Sequence, residues 1–243
     1  MNYPVIPRMF PTMIAPNVSR KFYGLLSALR LWTLFVAAIK LYARVVPASK
    51  HITLDGIDGG PRRPYLTRWH VIPRNPWFNI YLHYFEHGDD DRALHDHPWR
   101  SWSLLLDGRY REHTSEWMYD MPLDGSPEGV RAFNQQLAEL FTPTDGRTYV
   151  PGSTTRNEGK FPGQLKFDYV QDFSTGDFRA LSPDHMHLLE LFGDNNEPCW
   201  TLFITGRRKR RWGFACGGNE GWRDFSKYTA DHPSRPNATV GCE

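Results

Sequence analysis

Two histidine pairs carry most of the chemistry this chain can offer. His95-Asp96-His97 and His185-Met186-His187 each set two imidazoles two residues apart, and about ninety positions separate the pairs. If each pair opens a β-strand, its two side chains share one face, because successive side chains alternate between faces. Imidazole nitrogen suits Zn, Fe, Cu or Ni, and an ion needs three or four donors converging at about 2.0–2.2 Å. One pair supplies two donors, and a histidine on another strand facing the same interior supplies a third. The spacing therefore predicts one metal site shared between the pairs. His83 and Glu86 on the preceding strand are further candidates. They lie on opposite faces by alternation, so one of them at most points inward.

Such a site needs a scaffold of strands, and the body of the sequence reads that way. Arg68–Ile72, Trp77–Glu86, Trp99–Leu106, Arg109–Trp117, Gln164–Phe173, Phe178–Leu181, His185–Phe192, Cys199–Thr205 and Arg210–Ala215 are rich in aromatic and β-branched residues. Asp107-Gly108 has the composition of a hairpin turn, and Thr205-Gly206 resembles it. Val130–Phe141 has a helical pattern inside a polar stretch from about 119 to 163. Hydrophobic residues make up 40% of the chain and charged ones 23%, which excludes a disordered polymer. The expected class is all-β, an antiparallel sandwich or small barrel with an insertion at one end. Cys199, Cys216 and Cys242 are odd in number and lack CxxC spacing, so the sequence suggests no disulfide framework and a reducing, cytoplasmic setting.

The first fifty residues differ from the rest. They hold seven basic side chains (Arg8, Arg20, Lys21, Arg30, Lys40, Arg44 and Lys50) and no acid, although the net charge of the whole chain is only +2. Residues 1–18 contain four prolines and are expected to be an extended arm. Phe22 to Val46 reads as one helix with a narrow stripe of Arg30, Thr33, Ala37, Lys40 and Arg44 among apolar residues. Arg30 and Lys40 bound its most apolar part, which disfavours a membrane span, and Lys40 and Arg44 likewise disfavour a signal peptide ending near Val46-Pro47-Ala48. The helix is expected to pack on the body or a partner subunit, or to lie at a membrane surface, with Arg30, Trp32, Lys40 and Arg44 as contacts. Units 1–50 and 51–243 follow as the expected division.

At the histidines the sequence resembles the cupin superfamily, whose fold is a double-stranded β-helix or jelly roll. Gly88, His95-Asp96-His97 and Gly108 match its first motif, and Pro183 with His187 resembles its second. The stretch from His187 through Glu190 and Pro198-Cys199-Trp200-Thr201-Leu202 to Arg211-Trp212-Gly213-Phe214 also resembles an uncharacterised cupin-like group of bacteria and their phages. The likeness covers roughly residues 65–230. Two departures stand out: Ser101 or Trp102 occupies the position of the first-motif glutamate, and the Pro183-to-His187 spacing is one residue short. The resemblance implies a three-histidine site of His95, His97 and His187, with His185 and His83 as lesser alternatives. It implies one divalent metal, Fe(II) by preference and Zn, Mn or Ni otherwise. Glu86, Arg109, Arg111 and Glu190 are candidate catalytic groups.

Three functions compete on these grounds. The first is an Fe(II) oxygenase or dioxygenase acting on a small metal-chelating substrate whose anion meets Arg100, Arg109 or Arg111. The second is a Zn- or Mn-dependent isomerase or hydrolase on the same ligands. The third is a non-catalytic binding or structural cupin, anchored by its N-terminal helix and able to form a homo-oligomer. The basic run Arg207–Arg211 is expected at a hairpin tip as solvated charge, which argues against a nucleic-acid partner. Asp89-Asp90-Asp91 is expected to be a solvated turn.

Overall fold

A computed structural model describes residues 21, 23–27, 30–54, 63–89, 93–119, 126–157, 164–193, 197–216, 221–230 and 242. The expected N-terminal arm, residues 1–18, lies outside them. Helix α1 (Leu31–Val45) is followed by β1 (Lys50–Leu54), β2 (Arg63–His70), β3 (Asn79–Phe85), β4 (Leu94–His95), β5 (Ser101–Asp107) and β6 (Arg109–Tyr119). Helix α2 (Pro127–Phe141), β7 (Thr148–Tyr149), β8 (Thr155–Asn157) and β9 (Gln164–Ser174) come next. The chain then runs through β10 (Phe178–Leu181), β11 (His187–Leu191), β12 (Cys199–Thr205), β13 (Gly213–Cys216), β14 (Gly221–Asp224) and the short α3 (Phe225–Tyr228).

Two antiparallel sheets result, in the orders β1-β2-β3-β12-β5-β10 and β14-β13-β4-β11-β6-β9-β7, with β8 also on β9. Between β3 and β6, and again between β9 and β13, each successive strand changes sheet. This alternate winding makes a jelly roll, with β7 and β8 added beside β9 at the insertion. Asp107-Gly108 and Thr205-Gly206 are therefore not hairpin turns. Each is the corner at which the chain leaves one sheet for the other. Gly108 makes the first corner at φ 93°, and a Cβ there would sit 2.9 Å from the Pro198 carbonyl oxygen. A sheet corner and a hairpin ask for the same left-handed glycine, so the dipeptide alone does not distinguish them.

The interior is divided along the strands. At one end Leu66, Phe85, Leu105, Tyr110, Phe173, Leu191 and Cys199 form an apolar plug. Towards the other end the inward residues turn polar, with Ser101, Ser103, Thr114, Thr201, Thr205 and the histidines buried. A second cluster lies on the outer face of the first sheet, where Trp32 and Val36 of α1 pack on Trp69, Leu82 and Leu106. Trp32 Nε1 donates to the Leu106 carbonyl at 3.2 Å, and Lys40 reaches Asp107 at 2.5 Å. The expected continuous helix from Phe22 to Val46 is interrupted: Arg30 adopts φ 57°, and its N–H closes a turn on Ser27 O at 2.9 Å. The break costs about 1–2 kcal/mol in a non-glycine residue, but it brings Tyr23 edge-on to Trp32 with ring centroids 5.1 Å apart. Leu26 then reaches the same cluster as Val36.

Helix α2 begins one turn before the expected Val130. Ser126 caps it by accepting from Gly129 N, and Pro127 suits its first position. Cys216 and Cys242 form a disulfide across a Cα separation of 5.2 Å, which overturns the expectation of unpaired cysteines. Spacing could not reveal it, because the two residues are 26 apart and pair through tertiary packing. No helix among the described residues is long and apolar enough to cross a membrane.

Candidate metal centre

His95 ends β4 and His187 opens β11, and the two are direct partners in the antiparallel register. His97 follows two residues after His95, held by its N–H to Pro183 O at 3.3 Å. One nitrogen from each of His95, His97 and His187 lies within 4.8 Å of the others. His97 Nε2 and His187 Nε2 are 3.0 Å apart. The structure thus gathers the three histidines that the resemblance implied.

Glu112 on β6 orders this group from below. Its Oε1 lies 2.5 Å from His187 Nδ1 and 3.1 Å from His185 Nε2. Arg179 reaches across from β10 in the other sheet to pair with the same oxygen, and both partners are buried. Arg179 Nη2 also lies 3.2 Å from His187 Nδ1, but the shorter contact is to the carboxylate, which only accepts, so we assign the proton to His187 Nδ1. Its Nε2 then presents a lone pair towards His97. A second grouping of Glu112, His185 and His187 has three possible donors, but the carboxylate there already serves Arg179 and two imidazoles. We therefore assign Glu112 and His185 to supporting the first group.

Burial holds His97 well below its ordinary pKa, and the neighbouring positive groups push the same way. Burial also drives His187 down to about 3, against the opposing pull of Glu112. Burial would raise Glu112, but Arg179 and the two histidines outweigh it and keep the carboxyl well below the usual range. At neutral pH the site combines neutral His97 and His187 with a charged, internally compensated Glu112–Arg179 pair. Such a donor set fits a divalent ion. Two nitrogens bound to one ion at about 2.0–2.1 Å lie about 3.0–3.4 Å apart, and His97 and His187 already show the lower of these separations.

Two aspartates fix the loops that carry the ligands. Asp96, between His95 and His97, is 1% exposed. It accepts from Gly213 N at 2.8 Å, from Trp222 Nε1 at 3.0 Å and from Arg210. Burial raises its pKa above the ordinary value, against the lowering effect of these donors. Asp89 accepts from Leu189 N at 2.7 Å and from Tyr65 OH, and it lies 3.7 Å from His95 Nδ1. Its side chain is 6% exposed, unlike the solvated turn residue expected from the sequence; Asp90 and Asp91 lie outside the described residues.

Several candidates fall elsewhere. Glu86 accepts from Thr67 on the outer face, and Glu190 pairs with His113 at the surface. Arg109 pairs with Glu197 and Arg111 with Asp172, both exposed. Arg100 is exposed as well. Alternation had required Arg109 and Arg111 to share a face, and that face is the outer one. His83 does point inward, stacked between Tyr81 and Phe203. The basic run Arg207–Arg211 lies in the crossover between β12 and β13 and not at a hairpin tip.

Three residues of the interior escaped the sequence reading: Glu112, Arg179 and Arg68. Glu112 had a signal, since it alternates with Arg111 and His113 and so faces inward once they face out. Arg179 had none, because a single arginine in a four-residue strand carries no pattern. Arg68 donates its Nε to His83 Nε2 at 2.9 Å and stands 4.7 Å from the Tyr81 ring centroid.

No protein-family model matches the chain, and no curated protein matches it. Solved structures do. A variant of oxalate decarboxylase from Bacillus subtilis is 14% identical with a TM-score of 0.32, over 69% of this chain and 29% of that one. Another oxalate decarboxylase structure, described for its Mn(II) centres, is 13% identical with a TM-score of 0.32, over 74% and 32%. An uncharacterised conserved protein with a double-stranded beta-helix domain from Klebsiella pneumoniae is 11% identical with a TM-score of 0.33, over 65% and 90%. The matched part thus spans less than a third of oxalate decarboxylase. The strand winding itself decides the architecture. The fold is cupin-like, a double-stranded β-helix. Within this cupin-like barrel the three histidines stand at the polar end of the interior, away from the apolar plug.

Proposed function

We propose that the chain is a metal-dependent enzyme whose ion is held by His95, His97 and His187, and that it works as an Fe(II) oxygenase on a small, chelating, anionic substrate. The observation that carries this reading is the meeting of three imidazoles at one point, with Glu112 fixing the tautomer of His187. A bound divalent ion supplies Lewis acidity, and as Fe(II) also a centre able to activate dioxygen.

The protein's own groups account for the rest. Glu112 holds the proton on His187 Nδ1, so Nε2 stays a donor. Arg179 balances the charge of Glu112, which leaves the charge of an ion to be met by the substrate. An anionic chelator is favoured for that reason, since among the described residues no carboxylate joins the group of His95, His97 and His187. Arg68 supports the same reading: among the described residues it has no carboxylate partner. It replaces Arg109 and Arg111 as the cation facing the interior. Tyr81, His83 and Phe203 form an aromatic wall from Arg68 to His97, whose ring is 5.9 Å from that of Phe203. An aromatic wall of this kind limits the access of bulk water to the reacting groups.

Oxygen uptake by Fe(II)-loaded protein against thiols, diols and aromatic acids tests the proposal. Uptake that depends on an anionic chelator is the expected result. Turnover with Zn or Mn but not with Fe(II) would transfer the same residues to an isomerase or hydrolase.

A further inference from the structure

Helix α1 buries one stripe and exposes another. Trp32, Val36, Ile39 and Ala43 face the sheet. Leu31, Leu34, Ala38, Leu41 and Val45 recur at three- and four-residue intervals on the outward side, where Leu34 is 65%, Leu41 59% and Val45 70% exposed. A second exposed apolar group adjoins the end of this helix. The Val46 carbonyl accepts from Trp69 Nε1 at 2.9 Å, and Ser49 Oγ accepts from His70 N at 3.0 Å. The C-terminal end of α1 is thereby tied to the end of β2, from which the loop 71–78 departs. Trp77 in that loop is 67% exposed, and Val71 and Phe78 are exposed beside it. The side-chain oxygen of Asn75 fixes the loop by accepting from Trp77 N and Phe78 N, so these rings are held outward by a built turn.

Cations accompany both groups, Arg44 in the last turn of α1 and Arg207 beside Trp77. Arg207 lies 5.6 Å from the Trp77 ring centroid, and Arg208 and Lys209 follow it in the exposed crossover. Arg44, Arg74, Arg207, Arg208 and Lys209 have no carboxylate partner among the described residues. We propose that this end of the molecule docks on an anionic lipid surface, with the outward stripe of α1 and the loop 71–78 entering the interface and the cations meeting lipid phosphates.

Charge complementarity selects that occupant. The first fifty residues contain no acid, and Asp107 beside α1 is taken up by Lys40, so a second copy packing its α1 on this face would bring the cations of the two helices together. A bilayer of anionic lipid accepts both features at once, because apolar and aromatic side chains settle at headgroup depth while Lys and Arg are drawn to the surface charge. With 15 residues, α1 is about 22 Å long, which suits a helix lying in the interface plane. The basic crossover also touches both histidine loops, through Lys209 N to Pro98 O at 2.8 Å and Arg210 Nη1 to Pro183 O at 3.2 Å. The docking face therefore borders the candidate metal centre, although it does not depend on a metal being bound.

Flotation of the full chain with phosphatidylcholine vesicles, with and without phosphatidylglycerol, tests the inference. Binding is expected with phosphatidylglycerol, weakened by salt and at least tenfold weaker without the anionic lipid. The Leu34→Glu/Leu41→Glu and Trp77→Ser variants change exposed side chains, and each is expected to lose tenfold or more in binding while keeping the wild-type circular dichroism. Absence of binding to either vesicle, or binding unchanged in both variants, would overturn the proposal. A concentration-dependent dimer that Leu34→Glu/Leu41→Glu abolishes, without lipid binding by the wild type, would assign the face to a second copy instead.

Discussion

Within the site, His187 Nδ1 lies 2.5 Å from Glu112 Oε1. If that contact sets the tautomer, Glu112→Gln should weaken metal binding about 10–100-fold, because an amide can turn its NH2 towards the ring and release the proton's position. Competition with a chromophoric chelator measures this directly; an unchanged affinity would reduce Glu112 to a partner of Arg179. A different residue-scale expectation concerns Cys199, 1% exposed, whose thiol burial pushes up to about 12. Thiolate is the reactive form, so iodoacetamide at neutral pH should leave Cys199 unmodified in the native protein and label it after denaturation. The histidine pairs stood out in sequence through their two-residue spacing, but neither opens a strand as expected: His97 follows the end of β4, and His185 precedes β11 and turns to Glu112. Glu112 and Arg179 could not be read as partners, because their meeting depends on which strands face each other across the barrel.

Among the elements, α1 does more than attach. Trp32 is 7% exposed and hydrogen-bonded to Leu106 O, so it belongs to the core over the outer sheet face. Trp32→Ala should cost about 3–5 kcal/mol, read as a lowered midpoint in urea with little change in slope. Full stability in that variant would mean that the helix is an appendage. Strand existence was largely legible, since the aromatic and β-branched runs reappear as β2, β3, β5, β6 and β9 to β13. The connections were not. Asp107-Gly108 reads as a hairpin because the sequence reports a left-handed turn without reporting which sheet receives the next strand. β1, β7 and β14 are short or peripheral strands whose pairing comes from their neighbours. The break at Arg30 is likewise set by packing, as the helical periodicity runs through it without interruption.

At the scale of the molecule, two sheets enclose one interior, apolar at one end and polar at the other, with a helix outside and a C-terminal tie. The Cys216–Cys242 bridge closes a loop of 26 residues from β13 to the C-terminal segment. A loop of that size contributes about 3.5 kcal/mol by the chain-entropy account. Cys242→Ser should lower the unfolding midpoint accordingly, and denatured, unreduced wild-type protein should show one free thiol. Three free thiols would refute the bridge. The central claim, that this cupin-like barrel is built around a metal, is tested most directly by metal analysis of protein purified without added metal, alongside His97→Ala and His185→Ala. About one transition-metal ion per wild-type chain is expected, none in His97→Ala, and retention in His185→Ala, with all three proteins folded. Metal-free wild-type protein that also fails to take up Fe(II), Mn(II) or Zn(II), or equal metal content in wild type and His97→Ala, would contradict it.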